Sequence, residues 1–349
     1  MRAADTRIRG LDIARGVAVL GMFTAHTVSV SEPTGAFVVL DELAGGTRPR
    51  MLFALVGGIS LGLLVAGTPR GRVHWQVAIR GILLLALGLL LESFFSGVSV
   101  VIDEWGILFL LMLPLLFVPS AWLLAGAAVL LVAGHIAILA GVGRTVPVGD
   151  GLLGVIGAEA IGWVLTGSYP MVTWLPSIIA GYLLARADLL RPRTQVAMVI
   201  AGAVFFAVGL ALTLSLDPDG GPSSWPSALA LQLSALGAAA LTVAVLIWIT
   251  SPRAGTAGGI AGRILYPLAA AGAMPLTVYT THVLALAAWY VLDPAGWGPD
   301  ATTWMIFTAV TLVVAPVWRK TIGQGPLEWL LAFLSGRTGF VARLAANRA

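Results

Sequence analysis

Cysteine is absent from the 349 residues, and Lys320 is the only lysine. The missing thiols exclude a disulfide framework, a zinc–thiolate site and a thiol nucleophile. Charge is scarce as well. Charged residues make up 10% of the chain, against roughly 25% in an ordinary soluble domain. Hydrophobic residues reach 58% and the mean hydropathy is +0.96. A soluble core of this length has nowhere to hide so much apolar surface, which excludes a soluble enzyme, a disordered chain and a nucleic-acid-binding domain. The net charge of +4 and pI near 10 do not restore nucleic acid as a partner, because the arginines fall between apolar runs, where membrane topology needs them. A P-loop, a Gly-x-Ser-x-Gly elbow, a His-Glu-x-x-His pair and a metal-ligand cluster are also missing, so no metal is expected.

What is present is apolar sequence in runs of about 20 residues, the length that crosses a bilayer as a helix. Ten spans are expected near 10–30, 48–67, 74–95, 104–118, 121–141, 170–187, 195–216, 227–250, 264–291 and 301–318. The expected fold class is all-α: one polytopic helical membrane domain over 1–349, surrounded by membrane lipids. Placing Arg2, Arg7 and Arg9 in the cytoplasm puts most basic residues inside, including Arg70, Arg72, Arg186, Arg191, Arg193, Arg253, Arg263, Arg319, Lys320, Arg337, Arg343 and Arg348. Arg48, Arg50 and Arg144 then lie outside, together with Glu32, Asp41, Glu42, Asp103, Glu104, Asp150, Asp217, Asp219, Asp293 and Asp300. Both termini come out cytoplasmic, in a plasma membrane. Residues 151–166 are apolar enough for an eleventh span, but counting them would reverse the later charges. They read instead as a re-entrant or interfacial outer segment, a candidate lid. Residues 325–335 read as a C-terminal interfacial helix. No cleaved signal peptide stands out.

Ionisable residues inside a bilayer cost roughly 2.5–3.5 kcal/mol each on insertion scales, so each needs a reason. Asp12, Arg15 and His26 share one narrow face of the first span. From Arg15 to His26 the helix rises about 16 Å. Asp12 and Arg15 also suit a simple i,i+3 ion pair, and His26 suits a hydrogen bond to a neighbouring helix. The third span carries Arg80 and Glu92. The ninth carries Pro267, Pro275, Thr277 and Thr281, with Tyr279 and His282 on one face. Such a polar face should turn inward, towards a chamber shared with His26. His135 reads as structural and His74 as solvated. Trp105, Trp163, Trp225, Trp289, Trp297 and Trp304 near the outer boundary suit an aromatic belt, or stacking on sugar rings.

Residues 7–26 (RIRGLDIARGVAVLGMFTAH) resemble the opening of the transmembrane acyltransferase superfamily. The similarity is to the heparan-α-glucosaminide N-acetyltransferase catalytic-domain family and its bacterial DUF418 (YeiB-like) relatives. The Leu-Asp-x-x-Arg-Gly core and the spacing from Arg15 to His26 both match. Residues 166–189, opening TGSYPMVTWLP, resemble the family's tyrosine–proline segment. Residues 275–282 (PLTVYTTH) are similar to its late tyrosine–histidine span, and 325–330 (GPLEWL) to the C-terminal signature of the DUF418 branch. Many DUF418 relatives carry Asn near position 26, so His26 favours the catalytic branch.

The resemblance implies acyl transfer across a bacterial membrane. Acyl-CoA, typically acetyl-CoA, would be the donor from the cytoplasm. The acceptor would be a hydroxyl or amino group of an extracytoplasmic sugar, glycan or glycolipid. His26, Asp12, His282 and Tyr279 are the candidate catalytic residues. Arg15, Arg80, Arg70 and Arg72 are the candidates for binding the polyanionic donor. The imidazole of His26 suits either acylation itself or deprotonation of the acceptor. A small-molecule transporter or flippase and a non-catalytic membrane protein are the competing readings, and a homodimer is compatible with the sequence.

Overall fold

A computed structural model describes residues 8–29, 34–94, 97–145, 151–216, 224–292 and 299–336, and among these it contains helices and no strands. In chain order the helices are α1 (Arg9–Thr27), α2 (Ala36–Ala44), α3 (Thr47–Ala66), α4 (Arg70–Glu92), α5 (Ile102–Met112), α6 (Ser120–Leu139), α7 (Val142–Thr145) and α8 (Gly151–Ile161). They continue as α9 (Met171–Arg186), α10 (Pro192–Leu216), α11 (Trp225–Ile249), α12 (Gly255–Ile264), α13 (Tyr266–Gly272), α14 (Pro275–Leu292), α15 (Ala301–Thr321) and α16 (Pro326–Leu334). Arg2, Arg7, Glu32, Asp150, Asp217, Asp219, Asp293, Trp297, Arg337, Arg343 and Arg348 lie outside the described residues, so the loop charges expected of them are not placed.

The chain is a polytopic all-α membrane protein. Helices α3, α4, α6, α10, α11, α14 and α15 are each long and apolar enough to cross a membrane. The other three expected spans fall on α1, with 19 residues, α5, with 11, and α9, with 16. Large apolar side chains such as Trp122, Val129, Ile200, Leu214 and Val313 stand exposed on α6, α10 and α15. In water this surface would drive aggregation; in a bilayer it is the lipid face.

Helix α1 is the axis of the site and the most enclosed element. It packs against α3, α11 and α13, and its residues Leu11, Ala14, Ala18, Val19 and Phe23 are buried. Close approach is made by glycine, as bilayer helices require in the absence of a hydrophobic drive between them. A Cβ on Gly16 would fall on the Leu268 carbonyl, and one on Gly272 would fall on the Asp12 carbonyl. Helix α13 is therefore seated directly on the first turns of α1. The end of the bundle where α1 starts is called the near face here, and the end where it finishes the far face.

One sequence expectation changes. The expected ninth span, 264–291, is not one helix. Helix α12 ends at Ile264, α13 at Gly272, and a new helix starts at Pro275. Proline has no N–H to continue the ladder and is at ease at the first helical position, so Pro275 ends one helix and begins the next. The segment 151–166 forms α8 and a π turn, Gly162–Thr166. This segment was expected as a re-entrant or interfacial one, and its helices are shorter than those long enough to cross a membrane.

Candidate functional site

The near third of α1 carries an ion pair. Arg15 Nη1 donates to Asp12 Oδ1 at 2.6 Å, and Arg15 Nη2 donates to Ser60 Oγ of α3 at 2.8 Å. The i,i+3 spacing brings the two charges together on one helix. Ser60 in turn donates to the carbonyl of Val56, which fixes its hydroxyl oxygen as the acceptor for Arg15.

The far third of α1 carries His26. Its Nδ1 lies 2.9 Å from Nε2 of His282 on α14. The two rings are nearly parallel, at 15°, and both residues are buried. Phe23 packs its ring 4.8 Å from His282. The polar faces of the first and ninth expected spans thus meet in one place. One nitrogen of each imidazole is satisfied by the other ring, where lipid would satisfy neither. Tyr279 lies one turn before His282, its ring 4.9 Å from His282 and 6.4 Å from His26. Its hydroxyl accepts a hydrogen bond from the backbone N–H of Val101, 3.1 Å away, in the chain leading into α5.

A cavity of about 1250 Å³ runs between these groups and the near face. That is at the large end for ligand pockets, which typically span about 300–1,000 Å³. Arg15, Arg80, Arg319 and Lys320 are among its lining residues, as are Asp12, Ser60, Trp105 and Tyr279. Tyr279 closes the deep end, with the histidine pair behind it. Arg319 also donates to the carbonyl of Gly323 at 3.0 Å, and Lys320 lies 5.5 Å from the centre of the Tyr266 ring.

The cavity wall includes Glu328 of α16. Its Oε1 accepts from the backbone N–H groups of Leu276 and Thr277, at 2.7 and 3.1 Å, and its Oε2 accepts from Thr277 Oγ1 at 2.5 Å. Thr277 Oγ1 itself accepts from the N–H of Leu327 at 3.2 Å. The carboxylate caps the first turn of α14, where free N–H groups and the helix dipole favour negative charge. Gly325 permits the approach, since a Cβ there would fall on Glu328 Oε2 and press Met274 and Thr277. The C-terminal helix is thus docked on the cavity, with Trp329 and Phe333 left exposed on its other side.

Several expected placements are corrected. Asp103 and Glu104 are not loop acids. Both are buried in the first turn of α5, and Trp163 donates to Asp103 Oδ2 at 2.8 Å. Trp105 is buried against Gly57, away from any aromatic belt. Arg70 and Arg72 are exposed and do not line the cavity; the Arg70 guanidinium lies 5.6 Å from the centre of the Phe117 ring. They start α4 at the near face, whereas Arg80, further along α4, helps to line the cavity. Arg319, Lys320 and Glu328 line the cavity without having been singled out for it in the sequence. The available signal for Glu328 was an acid inside an otherwise apolar helix. On the far face Arg50 lies 5.4 Å from the centre of the Tyr169 ring. His135 bonds its own helix through the Leu131 carbonyl at 2.7 Å, a structural arrangement.

Of the residues expected to share one chamber, Tyr279 lines the cavity whereas His26 and His282 contact each other behind it and are not among the lining residues. Together these features define a polytopic helical membrane protein with a buried histidine pair next to an intramembrane cavity. Residues 181–336 match the model of the family described as "Protein of unknown function (DUF418)". That stretch carries Tyr279, His282 and Glu328; Asp12, Arg15 and His26 precede it. No curated protein matches the chain.

Proposed function

We propose that the protein is a membrane acyltransferase. In this reading acyl-CoA enters the cavity from the cytoplasmic, near face. Its acyl group passes to a hydroxyl or amine of a sugar, glycan or glycolipid on the far side. The observation that carries the proposal is the pairing of His26 with His282 behind Tyr279, at the deep end of a cavity whose walls include four cationic side chains.

The chemistry follows from that arrangement. A bulky polyanion needs a roomy cationic mouth, and Arg15, Arg80, Arg319 and Lys320 supply it. An imidazole whose second nitrogen is held by another imidazole can accept a proton on one ring while the pair shares the load. In direct transfer the acceptor oxygen or nitrogen bonds to the thioester carbonyl carbon. Its proton passes to the histidine pair, the C–S bond breaks, and the thiolate takes the proton as CoA leaves. If His26 is acylated first, its nitrogen bonds to the thioester carbonyl carbon, the C–S bond breaks and the thiolate takes the proton the imidazole gives up. The acceptor oxygen or nitrogen then bonds to the acyl carbon, the N–C bond breaks, and the acceptor's proton returns to the ring. The interrupted α13–α14 segment is the feature that favours transport as a second reading, because broken helices lining cavities are common in transporters.

The test is acyl-CoA-dependent thermal stabilisation and acyl transfer by purified protein in detergent. Stabilisation by acetyl-CoA, lost in Arg15→Ala, and transfer lost in a folded His26→Ala variant are the expected results. Full transfer activity in His26→Ala would overturn the mechanism. Absence of any acyl-CoA effect on the wild type would overturn the function.

A further inference from the structure

Helix α14 carries both Tyr279 and His282, yet little fixes its position through the backbone. Helix α13 is locked to α1 by the contacts of Gly16 and Gly272. At Ala273–Met274 the helix breaks, and Pro275 begins α14 afresh. A break of this kind leaves the rotation and axial position of the second helix to side-chain contacts. Besides the buried packing of Val283 and Leu286, three polar pins among the described residues contribute to them. Two are at the working end: Val101 N–H on Tyr279, and His26 on His282. The third is the Glu328 carboxylate on the first turn, about 8 Å along the helix from His282.

The third pin belongs to the cavity. Glu328, Leu331 and Ala332 of α16 line its wall together with Pro275 and Leu276 of α14. Thr277 and Leu327 return the bond, so the two helices cap each other. Any movement of α16 is therefore passed to α14 through a two-way clasp.

We infer that Glu328 is a positioning residue for the histidine pair: its carboxylate sets the rotation of α14, and so holds His282 against His26 from the opposite end of the cavity. Its link to catalysis rests on the acyltransferase reading, whereas its effect on the pair does not. The long two-headed side chain is needed because it reaches two N–H groups and a hydroxyl at once. Glutamine keeps an oxygen for the two N–H groups and an amide N–H for the hydroxyl, so it should substitute.

The experiment uses full-length protein in detergent with ¹⁵N-labelled histidine. The chain has 4 histidines, so the imidazole spectrum is sparse, and His135 serves as an internal control for the fold. The hydrogen-bonded signature of the His26–His282 pair should be present in wild type and Glu328→Gln. It should be lost in Glu328→Ala while the His135 signals stay in place. Thr277→Val, which removes one of the clasp's hydroxyl contacts, should weaken the signature in the same direction, and it stands in if Glu328→Ala does not fold. Retention of the paired signature in folded Glu328→Ala, or in Thr277→Val where the former does not fold, overturns the inference. So does loss of the signature in folded Glu328→Gln. In an acyl-transfer assay Glu328→Ala should lower kcat by about 100-fold, the scale of a small misplacement of a reacting group, with KM for acyl-CoA little changed. If the wild type does not turn over acyl-CoA, the acyltransferase reading fails and the spectra still decide the positioning role.

Discussion

Nδ1 of His26 and Nε2 of His282 stand 2.9 Å apart although the residues are 256 positions apart in the chain. The pair is buried, so each ring is the other's compensation for lost water. Truncating one histidine leaves the other with an unsatisfied polar nitrogen, at a cost of about 1–3 kcal/mol. His26→Ala and His282→Ala should each lower stability on that scale. The double variant should be less destabilised than the sum of the two, by about 0.5–3 kcal/mol. Thermal unfolding of all four proteins in one detergent measures the coupling. Strict additivity would show that the two rings do not depend on each other.

The cations of the cavity should separate from those outside it. Arg15, Arg319 and Lys320 line the cavity, whereas Arg70 and Arg72 sit exposed beside it. A charge-assisted bond to phosphate is worth about 1.5–3 kcal/mol. Neutralising Arg15 or Arg319 should therefore weaken CoA binding by roughly 10–150-fold, while Arg70→Ala and Arg72→Ala should change it only slightly. Titration calorimetry with CoA checks this. Equal effects from the two groups would place the donor elsewhere. Arg15→Ala also strands the buried Asp12, so Arg15→Ala/Asp12→Asn belongs in the comparison as the variant that removes the donor contact without leaving a lone buried acid.

Gly272 tests the seating of α13 on α1. An added Cβ meets the backbone carbonyl of Asp12, which cannot rotate away as a side chain would. Gly272→Ala should destabilise by at least the roughly 1–3 kcal/mol typical of overpacking. It should also disturb the Asp12–Arg15 pair and so weaken CoA binding. An alanine variant with wild-type melting temperature and CoA affinity would mean that α13 and α1 are not held in contact.

The parts of this arrangement that the sequence discloses are those governed by transfer from water to lipid. Apolar run length gives the helices, and an ionisable residue in such a run announces an inward-facing side chain. That is why Asp12, Arg15, His26, Tyr279 and His282 stand out, and why the facing of His26 and His282 was expected. Facts that depend on which helix is next to which stay hidden. The break before Pro275 is one, since proline is compatible with a kink as well as with a fresh start. The burial of Asp103 and Glu104 is another: their placement is a matter of Trp163 and Gly88 coming from other helices, and hydropathy puts two adjacent acids in a loop. Arg70, Arg319 and Lys320 are alike as basic residues at the ends of spans. Only helix packing tells which of them turns towards the cavity.

Asp300 offers a pH-dependent prediction outside the spans. It is the N-cap of α15, and its Oδ1 accepts from the backbone N–H groups of Thr302 and Thr303, at 2.9 and 3.0 Å. Thr303 Oγ1 in turn accepts from the Asp300 N–H, completing a capping box. These bonds, the Thr303 N–H first among them, hold the Asp300 carboxyl below its ordinary value. A group whose pKa is depressed on folding stabilises the fold above its unfolded pKa, about 3.9 for aspartate, and that contribution fades as pH falls through the folded value. Asp300→Ala should therefore cost about 1 kcal/mol at pH 7, the usual scale for a lost cap. The gap between wild type and variant should narrow as the pH is lowered below about 4. Asn caps a helix about as well as Asp but does not titrate. Asp300→Asn should accordingly match the wild type at pH 7 and lose less stability in acid. Melting temperatures of the three proteins across this range decide the matter, and a wild-type-to-alanine gap that stays constant from neutral to acid pH would show that the carboxylate charge plays no part in the cap.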